Sequence, residues 1–216
     1  MALLGYTLDA VRARIGARVA AWLGLRVGAR VQIHPGARVR SGAGSAIGDG
    51  SILYRDVQVL ATGQGRFTMG ARSHIAPGGY LLVAGQRLSI GDDVAIGPGL
   101  MVFCESNAVT ATGLFREAYR RADVRIGSNV FIGARVTVLP GSVIDDDVVV
   151  AAHAVVRGHL ASGWVYGGVP ARPLHRIDAE RGAASAAEAT QGAVFDDELA
   201  SRLEGIDGAI APSTRS

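Results

Sequence analysis

The chain of 216 residues is long enough for one domain with short appendages, and 49% of its residues are hydrophobic, which suffices for a continuous core. Its single cysteine excludes an intrachain disulfide, and no apolar run approaches the roughly 20 residues of a membrane-spanning helix. We therefore expect a cytoplasmic protein. The formal charge is only +3, and arginine replaces lysine throughout, which suits phosphate-bearing ligands or simply reflects codon usage.

Residues 7–23 are predicted to form an amphipathic helix that begins at Thr7, with arginines mostly off its apolar face. Charged residues interrupt this segment, so a signal peptide is not indicated. Two roles stay open. The helix covers the open end of a β structure, whose strand edges would otherwise be exposed, or it lies on an anionic membrane as a peripheral contact. The apolar positions are Leu8, Val11, Ile15, Val19, Trp22 and Leu23.

Aliphatic residues recur every six positions through the middle of the chain. The longest run is Ile126, Ile132, Val138, Ile144, Val150 and Val156. Four shorter runs begin at Val27, Ile47, Met69 and Ile90, with slips of phase at 40–46, 60–68 and 82–89. A six-residue period fits neither a helix nor a simple strand. It fits a short strand followed by a sharp corner, with three units closing one triangular coil.

The repeat predicts about six coils, with the slips as bulges at corners. Glycine often follows the aliphatic residue, as in Ile90-Gly91 and Ile132-Gly133, and we expect such small residues to turn the corners. The predicted organisation is a helical cap at 1–25, a β-helix at 26–175 and a tail at 176–216. The tail is expected to be partly disordered, with one short helix at 195–206.

The repeat breaks after Asn107 and resumes at Ile126, so residues 107–125 are predicted to be an inserted loop. Long excursions from a solenoid commonly carry function. The polar and aromatic side chains of the inserted loop are candidates for binding an acceptor substrate, and the loop's arginines would favour a negatively charged one. These candidates are Arg116, Tyr119, Arg120 and Arg121.

The block from Val124 to Arg172 resembles the end of the maltose and galactoside O-acetyltransferases and of related sugar acetyltransferases, which are hexapeptide-repeat acyltransferases. The resemblance rests on the repeated Ile-Gly pairs, on Pro140-Gly141, and on the ending Gly168-Val169-Pro170-Ala171-Arg172. It covers about residues 80–175 well, and the rest only through the repeat. It implies an all-β, left-handed parallel β-helix.

The same resemblance implies a homotrimer with active sites in the clefts between prisms. It implies acetyl-CoA as the acyl donor, a sugar or glycoconjugate hydroxyl as the acceptor, and no metal. The positions that match the family's cofactor contacts are Ala134, Ala152, Arg157, Gly158 and Arg172. For the two alanines, ordinary tight packing is the alternative interpretation.

The family's catalytic base is a histidine at the start of the inserted loop, and the matching position here is Asn107. An asparagine cannot take up a proton near neutral pH. Three interpretations follow. Another side chain serves as base, either His74 reaching the loop of a neighbouring subunit or Glu105 with a pKa raised by burial. Alternatively the acceptor is an amine, for which positioning does most of the work, or the protein is a non-catalytic scaffold.

Two other chemistries are weaker fits. A zinc hydratase of the γ-carbonic-anhydrase type needs three converging histidines, but His153 and His159 stand six residues apart, on different faces of one coil. Cys104 has no histidine beside it in the sequence that would activate it as a nucleophile, so a buried packing role is expected.

Overall fold

The computed structural model describes the backbone of residues 2–109 and 113–178, and the side chains of those residues from Val11 onward. Helix α1 (Ala2–Trp22) comes first and is followed by short strands. Within the described ranges no helix has both the length and the apolarity needed to cross a membrane. The helix predicted at 195–206 lies outside the described residues.

Three short strands make up each of the first four coils. In chain order they are β1 (Arg26–Val27), β2 (Gln32–Ile33), β3 (Arg38–Arg40), β4 (Ala46–Ile47), β5 (Ile52–Leu53), β6 (Gln58–Leu60), β7 (Arg66–Met69), β8 (His74–Ile75), β9 (Tyr80–Leu82), β10 (Arg87–Ile90), β11 (Ala95–Ile96) and β12 (Met101–Phe103).

The inserted segment contributes β13 (Glu105–Asn107), a 3-10 helix (Phe115–Glu117) and β14 (Tyr119–Arg121). The coils then resume. The remaining strands are β15 (Val124–Ile126), β16 (Phe131–Ile132), β17 (Thr137–Val138), β18 (Val143–Ile144), β19 (Val149–Val150), β20 (Val155–Val156), β21 (His159–Leu160), β22 (Trp164–Gly167) and β23 (Arg172–Arg176).

Successive strands enter three different sheets, and each strand pairs in parallel with its equivalent one coil away. The first sheet has the order β1-β4-β7-β10-β15-β18-β21, the second β2-β5-β8-β11-β16-β19-β22-β23, and the third β3-β6-β9-β12-β17-β20. Only a chain that winds around a triangular prism gives this order. The predicted left-handed parallel β-helix of about six coils is therefore confirmed.

The hexapeptide runs supply the core of the prism. All six aliphatic residues of the longest run are buried, from Ile126 to Val156. The residues four positions further on are buried as well, namely Val130, Val136, Ser142, Val148 and Ala154. Each coil thus buries its aliphatic side chains against those of the coils above and below, which makes one continuous apolar column.

The shifts in the phase of the six-residue repeat all fall at one corner, where the chain passes from the third sheet to the first sheet of the next coil. There β3 ends at Arg40 and β4 begins only at Ala46, and the same corner is extended after β6 and β9. We call it the third corner, and the turn between the second and third sheets the second corner. The inserted segment also leaves from the third corner.

The glycines that follow the aliphatic residues do not turn the corners, contrary to expectation. A Cβ on Gly97 would lie 2.8 Å from the backbone nitrogen of Ala134, and one on Gly133 would lie 2.5 Å from that of Ala152. Glycine is needed there because stacked coils approach closely. The left-handed backbone at the corners falls instead on later residues, such as Gly99 and Arg135.

Helix α1 packs on the first coil through its small residues, not through its large apolar ones. Ala13 and Ala17 are buried, and a Cβ on Gly16 would lie 2.4 Å from the carbonyl oxygen of Ile33. The large apolar residues predicted for the amphipathic face are exposed wherever their side chains are described, namely Val11, Ile15, Val19, Trp22 and Leu23. The helix packs through its small residues because they allow its backbone to approach the backbone of the coil.

Candidate functional site

The inserted segment is anchored by a β-hairpin at the third corner. Strands β13 and β14 pair antiparallel, with Glu105 opposite Arg121, Ser106 opposite Arg120 and Asn107 opposite Tyr119. The excursion therefore starts at Glu105, two residues earlier than the sequence predicts. Alternation along the strands gives the hairpin two faces with different side chains.

One face of the hairpin holds the inserted segment together. The Arg121 guanidinium donates to the Glu105 carboxylate and also lies over the Tyr119 ring, 5.0 Å from its centroid. Asn107 Nδ2 donates to the carbonyl oxygen of Phe115 at 2.9 Å. Glu105, one candidate base, is thus engaged in an ion pair, and Asn107 orients the loop.

The hairpin also lines a pocket of about 440 Å³ against the body of the prism, to which Ser106 and Arg120 of its other face contribute together with Asn107. Asn107, Arg120 and Arg157 all line it, although the sequence places them in three separate groups: the position of the base, the acceptor site and the cofactor site. Ser106, Leu139 and Pro140 complete the nearby wall. Sequence reasoning did not single these three out, and only the Pro140-Gly141 pair of the resemblance pointed to this turn.

Two cations in this pocket have no ion-pair partner among the residues that the structure describes. Neither the Arg120 nor the Arg157 side chain makes an ion pair or side-chain hydrogen bond within the described ranges, and both are exposed. Two guanidinium groups that share one pocket favour an anion, because each can donate two parallel hydrogen bonds to a phosphate or a carboxylate.

The pocket lacks a proton acceptor of its own. Among the described residues that line it there is no carboxylate and no imidazole. His74 lies on β8 in the second sheet, where its ring meets that of Tyr54 edge-on at 6.1 Å, and Tyr54 stacks on His34 at 5.1 Å. Since β8 and the hairpin belong to different sides of the prism, one chain does not bring His74 and Asn107 together.

The predicted cofactor residues fall into separate groups. Half-buried Ala134 and exposed Ala152 lie at the second corner, after β16 and β19. Arg157 and Gly158 lie at the third corner after β20, and Arg172 begins β23, where its Nη1 donates to the carbonyl oxygen of Ala171 at 3.0 Å. The backbones of Ala134 and Ala152 also lie close to the glycines of the preceding coil, Gly97 and Gly133.

Among the remaining loop candidates, Arg116 lies exposed in the 3-10 helix of the inserted segment, and Tyr119 lies exposed on β14. Arg116 lies 3.6 Å from the carboxylate of its neighbour Glu117. Of the four arginine and tyrosine candidates, only Arg120 reaches the pocket. It is therefore the loop residue best placed to meet a ligand there.

The Cys104 thiol is fully buried behind the hairpin and donates to the carbonyl oxygen of Arg87 at 3.8 Å. Burial raises the pKa of this thiol to about 12. Cys104 is therefore a neutral packing residue near pH 7 and not a nucleophile.

Metal-binding side chains do not converge in the described ranges, where no group of three or more histidine, cysteine or acidic residues could hold an ion. His159 pairs with the Asp145 carboxylate at 2.7 Å, and His153 sits on a corner with φ of 62°. The two histidines thus lie on different sides of a coil, as their spacing predicts.

The comparisons with known proteins agree with this geometry. Residues 123–158 match the bacterial transferase hexapeptide family (six repeats). That match spans the coil after the hairpin and the next one, including Arg157 and both pocket residues of the Leu139-Pro140 turn. The resemblance to hexapeptide-repeat proteins is confirmed.

Two relatives from Escherichia coli are similar in sequence. WbbJ, named as a lipopolysaccharide biosynthesis O-acetyl transferase, is 46% identical over 57 residues, which are 26% of this chain and 29% of that protein. Galactoside O-acetyltransferase is 29% identical over 122 residues, 52% of this chain and 58% of that protein. The chain thus spans less than two thirds of the length of either relative.

A solved structure with the same fold is a single-residue mutant of AntD, an N-acyltransferase from Bacillus cereus, in complex with dTDP-4-amino-4,6-dideoxyglucose and coenzyme A. The superposition has a TM-score of 0.58 at 23% sequence identity, and covers 78% of this chain and 95% of that chain. At this identity the likeness is one of fold.

Proposed function

We propose that this chain forms an acyltransferase that moves an acetyl or similar acyl group from coenzyme A to a hydroxyl of a sugar or glycoconjugate. The observation that carries the proposal is the pocket at the third corner, where Asn107, Arg120 and Arg157 meet. The match with the transferase family over 123–158 and the similarity to O-acetyltransferases support it.

The donor would be held by its phosphates and its pantetheine arm. Arg157, which pairs with no acidic side chain in the described ranges, supplies a guanidinium for a phosphate, and exposed Gly158 beside it adds no bulk. Ala134 and Ala152 lie at another corner, so we propose that the cofactor runs between two prisms of a homotrimer and touches the third corner of one and the second corner of the other. Arg172 is the further cation assigned to the nucleotide end.

In the proposed reaction the acceptor hydroxyl oxygen attacks the thioester carbonyl. A C–O bond forms, the C–S bond breaks, and the CoA thiolate leaves with the bonding electron pair and is then protonated. The hydroxyl proton needs an acceptor, which the pocket of one chain does not offer. We assign this role to His74 of a partner subunit, brought to the hairpin by trimer assembly, while Asn107 holds the loop in place.

Arg120 is the proposed acceptor contact. Its side chain lines the pocket and pairs with no other described side chain, whereas Arg121 is paired with Glu105 and exposed Arg116 lies beside Glu117. An acceptor with a carboxylate or phosphate near the reacting hydroxyl would therefore bind better than a neutral one.

A non-catalytic scaffold is the second candidate, and one observation favours it. No carboxylate or imidazole lines the pocket among the described residues, so this part of one chain offers no base for the hydroxyl proton there. An amine acceptor with a suitable pKa would need no strong base and remains the third possibility, in which positioning accounts for most of the rate.

Calorimetric titration of the purified protein with CoA and acetyl-CoA tests the donor half first. Saturable binding near one site per chain, weakened about tenfold or more by Arg157→Ala but not by Arg66→Ala, supports the proposal. Arg66 is an exposed arginine of the first sheet at a different coil and serves as the matched control. No binding at millimolar CoA by a well-folded protein would favour the scaffold.

Thiol release from acetyl-CoA in the presence of sugar acceptors tests the acyl transfer itself. Turnover that falls in His74→Ala while CoA affinity holds would support a hydroxyl acceptor with His74 as base. Turnover with amino sugars alone, unchanged in His74→Ala, would support the amine alternative. CoA binding without turnover on any acceptor would favour a binding role.

A further inference from the structure

The outer face of helix α1 is apolar and uncovered. Val11, Ile15, Val19 and Trp22 follow one another at spacings of four, four and three residues, so they share one side of the helix. Their exposed fractions run from 51% for Val19 to 86% for Trp22. We call these four residues the outer stripe. Leu23, 70% exposed, follows directly after the helix.

The outer stripe cannot turn inward without losing the contacts that seat the helix. Ala13, Gly16 and Ala17 lie on the opposite side of α1, against the first coil. The closeness of Gly16 to the carbonyl of Ile33 leaves no room there for a valine, isoleucine or tryptophan. The exposed stripe is therefore a consequence of how the helix packs, and a contiguous apolar stripe of this kind marks an interaction site.

Arginines border the outer stripe on both flanks. On one side a groove is lined by Arg14, Arg18 and Arg30, and on the other a groove is lined by Arg12, Arg38 and Arg40. Five of the six, all except Arg12, make no ion pair within the described ranges. The first forty residues contain seven arginines and a single acidic residue, although the whole chain carries only +3.

We propose that the outer stripe and its flanking arginines bind the surface of an anionic lipid bilayer. The stripe, about 17 Å long from Val11 to Trp22, would lie among the acyl chains near the interface, with α1 parallel to the membrane plane. The arginines of both grooves would meet lipid phosphates while their aliphatic stems follow the apolar boundary. Trp22 at the end of the stripe suits the interfacial zone.

The charge distribution favours a membrane over a second copy of this chain as the occupant. Two copies meeting through their outer stripes would bring two sets of clustered arginines together, and such like-charge contacts are destabilising. An anionic bilayer offers complementary charge along the whole helix and its grooves. The inference stands on α1 and the first coil, and it does not depend on the proposed catalysis.

Co-sedimentation with vesicles tests the proposal. The full chain is expected to bind vesicles of phosphatidylcholine with 30% phosphatidylglycerol and to bind pure phosphatidylcholine vesicles at least tenfold more weakly. Binding to the anionic vesicles should also fall at 0.5 M salt, because salt screens the attraction between the arginines and the lipid phosphates. In a Trp164→Phe background the emission of Trp22 should shift to shorter wavelength on anionic vesicles alone.

Matched variants distinguish vesicle binding through the outer stripe from non-specific adsorption. Ile15→Ser with Trp22→Ser, and separately Arg14→Gln with Arg18→Gln, should each weaken binding to anionic vesicles by roughly tenfold or more. The controls are Leu114→Ser, an exposed apolar residue of the inserted segment, and Arg66→Gln, and both should leave binding unchanged. All six positions are exposed in the described structure, so folding should not be affected.

Three results would overturn the proposal. The first is no binding of the full chain to anionic vesicles at any salt concentration. The second is equal binding of the stripe variants and the controls. The third is a smaller assembly on size-exclusion chromatography with light scattering for Ile15→Ser/Trp22→Ser but not for Leu114→Ser, together with absent vesicle binding, which would assign the stripe to a contact between copies.

Discussion

At the scale of single residues, the spacing of coils decides where glycine is required. Gly133 has an ordinary backbone angle, yet a Cβ there would lie 2.5 Å from the backbone nitrogen of Ala152. Gly85 also has an ordinary angle, and a Cβ there would meet nothing within 4 Å. Alanine substitutions at Gly133 and Gly85 therefore distinguish the effect of closely approaching backbones from the general effect of replacing a glycine.

Gly133→Ala is expected to destabilise the protein by about 2 kcal/mol or more, because the added methyl must push two coils apart. Gly85→Ala should be neutral or stabilise by up to about 1 kcal/mol, through the lower entropy of the unfolded chain. The measurement is the free energy of unfolding in urea. Equal effects of the two substitutions would contradict the stacking explanation.

Cys104 gives a prediction about pH. Its folded-state pKa of about 12 lies above that of an exposed thiol. The protonated Cys104 thiol thus makes its full contribution to the free energy of unfolding below pH 8. This contribution is lost as the pH rises above the thiol's pKa in the unfolded chain, near 8.5, toward 12. Between pH 9 and 10.5 the wild type should lose up to about 1.4 kcal/mol per pH unit more than Cys104→Val. Parallel losses in the two proteins would show that the thiol is not the cause.

At the scale of elements, the sequence predicts the inserted segment but not its hairpin. The loss of the six-residue period predicts an excursion over 107–125, because the repeat on either side is strict, whereas β13 begins at Glu105 and Val124 already belongs to β15. The pairing of Glu105 with Arg121 depends on residues sixteen apart, which no local pattern reveals. For the same reason the sequence names Asn107, Arg120 and Arg157 separately, and only the folded corner joins them in one pocket.

Arg121→Gln should loosen the hairpin without unfolding the prism. The Glu105–Arg121 pair is partly exposed, so its loss should cost no more than about 1 kcal/mol of global stability. Amide hydrogen exchange in peptides that cover 105–107 and 119–121 should become faster. Arg116→Gln, which breaks only a contact with neighbouring Glu117, should leave that exchange unchanged. Similar amide hydrogen exchange rates in the two variants would show that the Glu105–Arg121 pair does not hold the hairpin together.

Helix α1 shows a different limit of sequence reasoning. Its apolar periodicity predicts the helix, and two roles stay open for it, a cap on the β structure or a contact with a membrane. The structure packs the helix through Ala13, Gly16 and Ala17, because small residues allow the helix backbone to approach the coil. Residues such as Ile15 therefore remain exposed.

At the scale of the whole molecule, the fold is readable from the sequence because each coil contacts only its neighbours. The period fixes which residue points inward, and the three-sheet order follows from the count of three units per coil. A site between subunits is not readable in this way, since no single chain contains it. His74 and Arg157 illustrate the point, because His74 lies on the second sheet and Arg157 at the third corner, and we propose that they meet only in a trimer.

Mixing two inactive variants tests whether the active site is shared between chains. His74→Ala and Arg157→Ala should each have little activity alone. In a trimer reassembled from equal amounts, a site that takes position 74 from one subunit and position 157 from the next is intact in about one case in four. Activity should therefore recover to about a quarter of the wild-type value. If both residues served one site within the same chain, no mixture would regain activity, because every chain would carry one of the two defects.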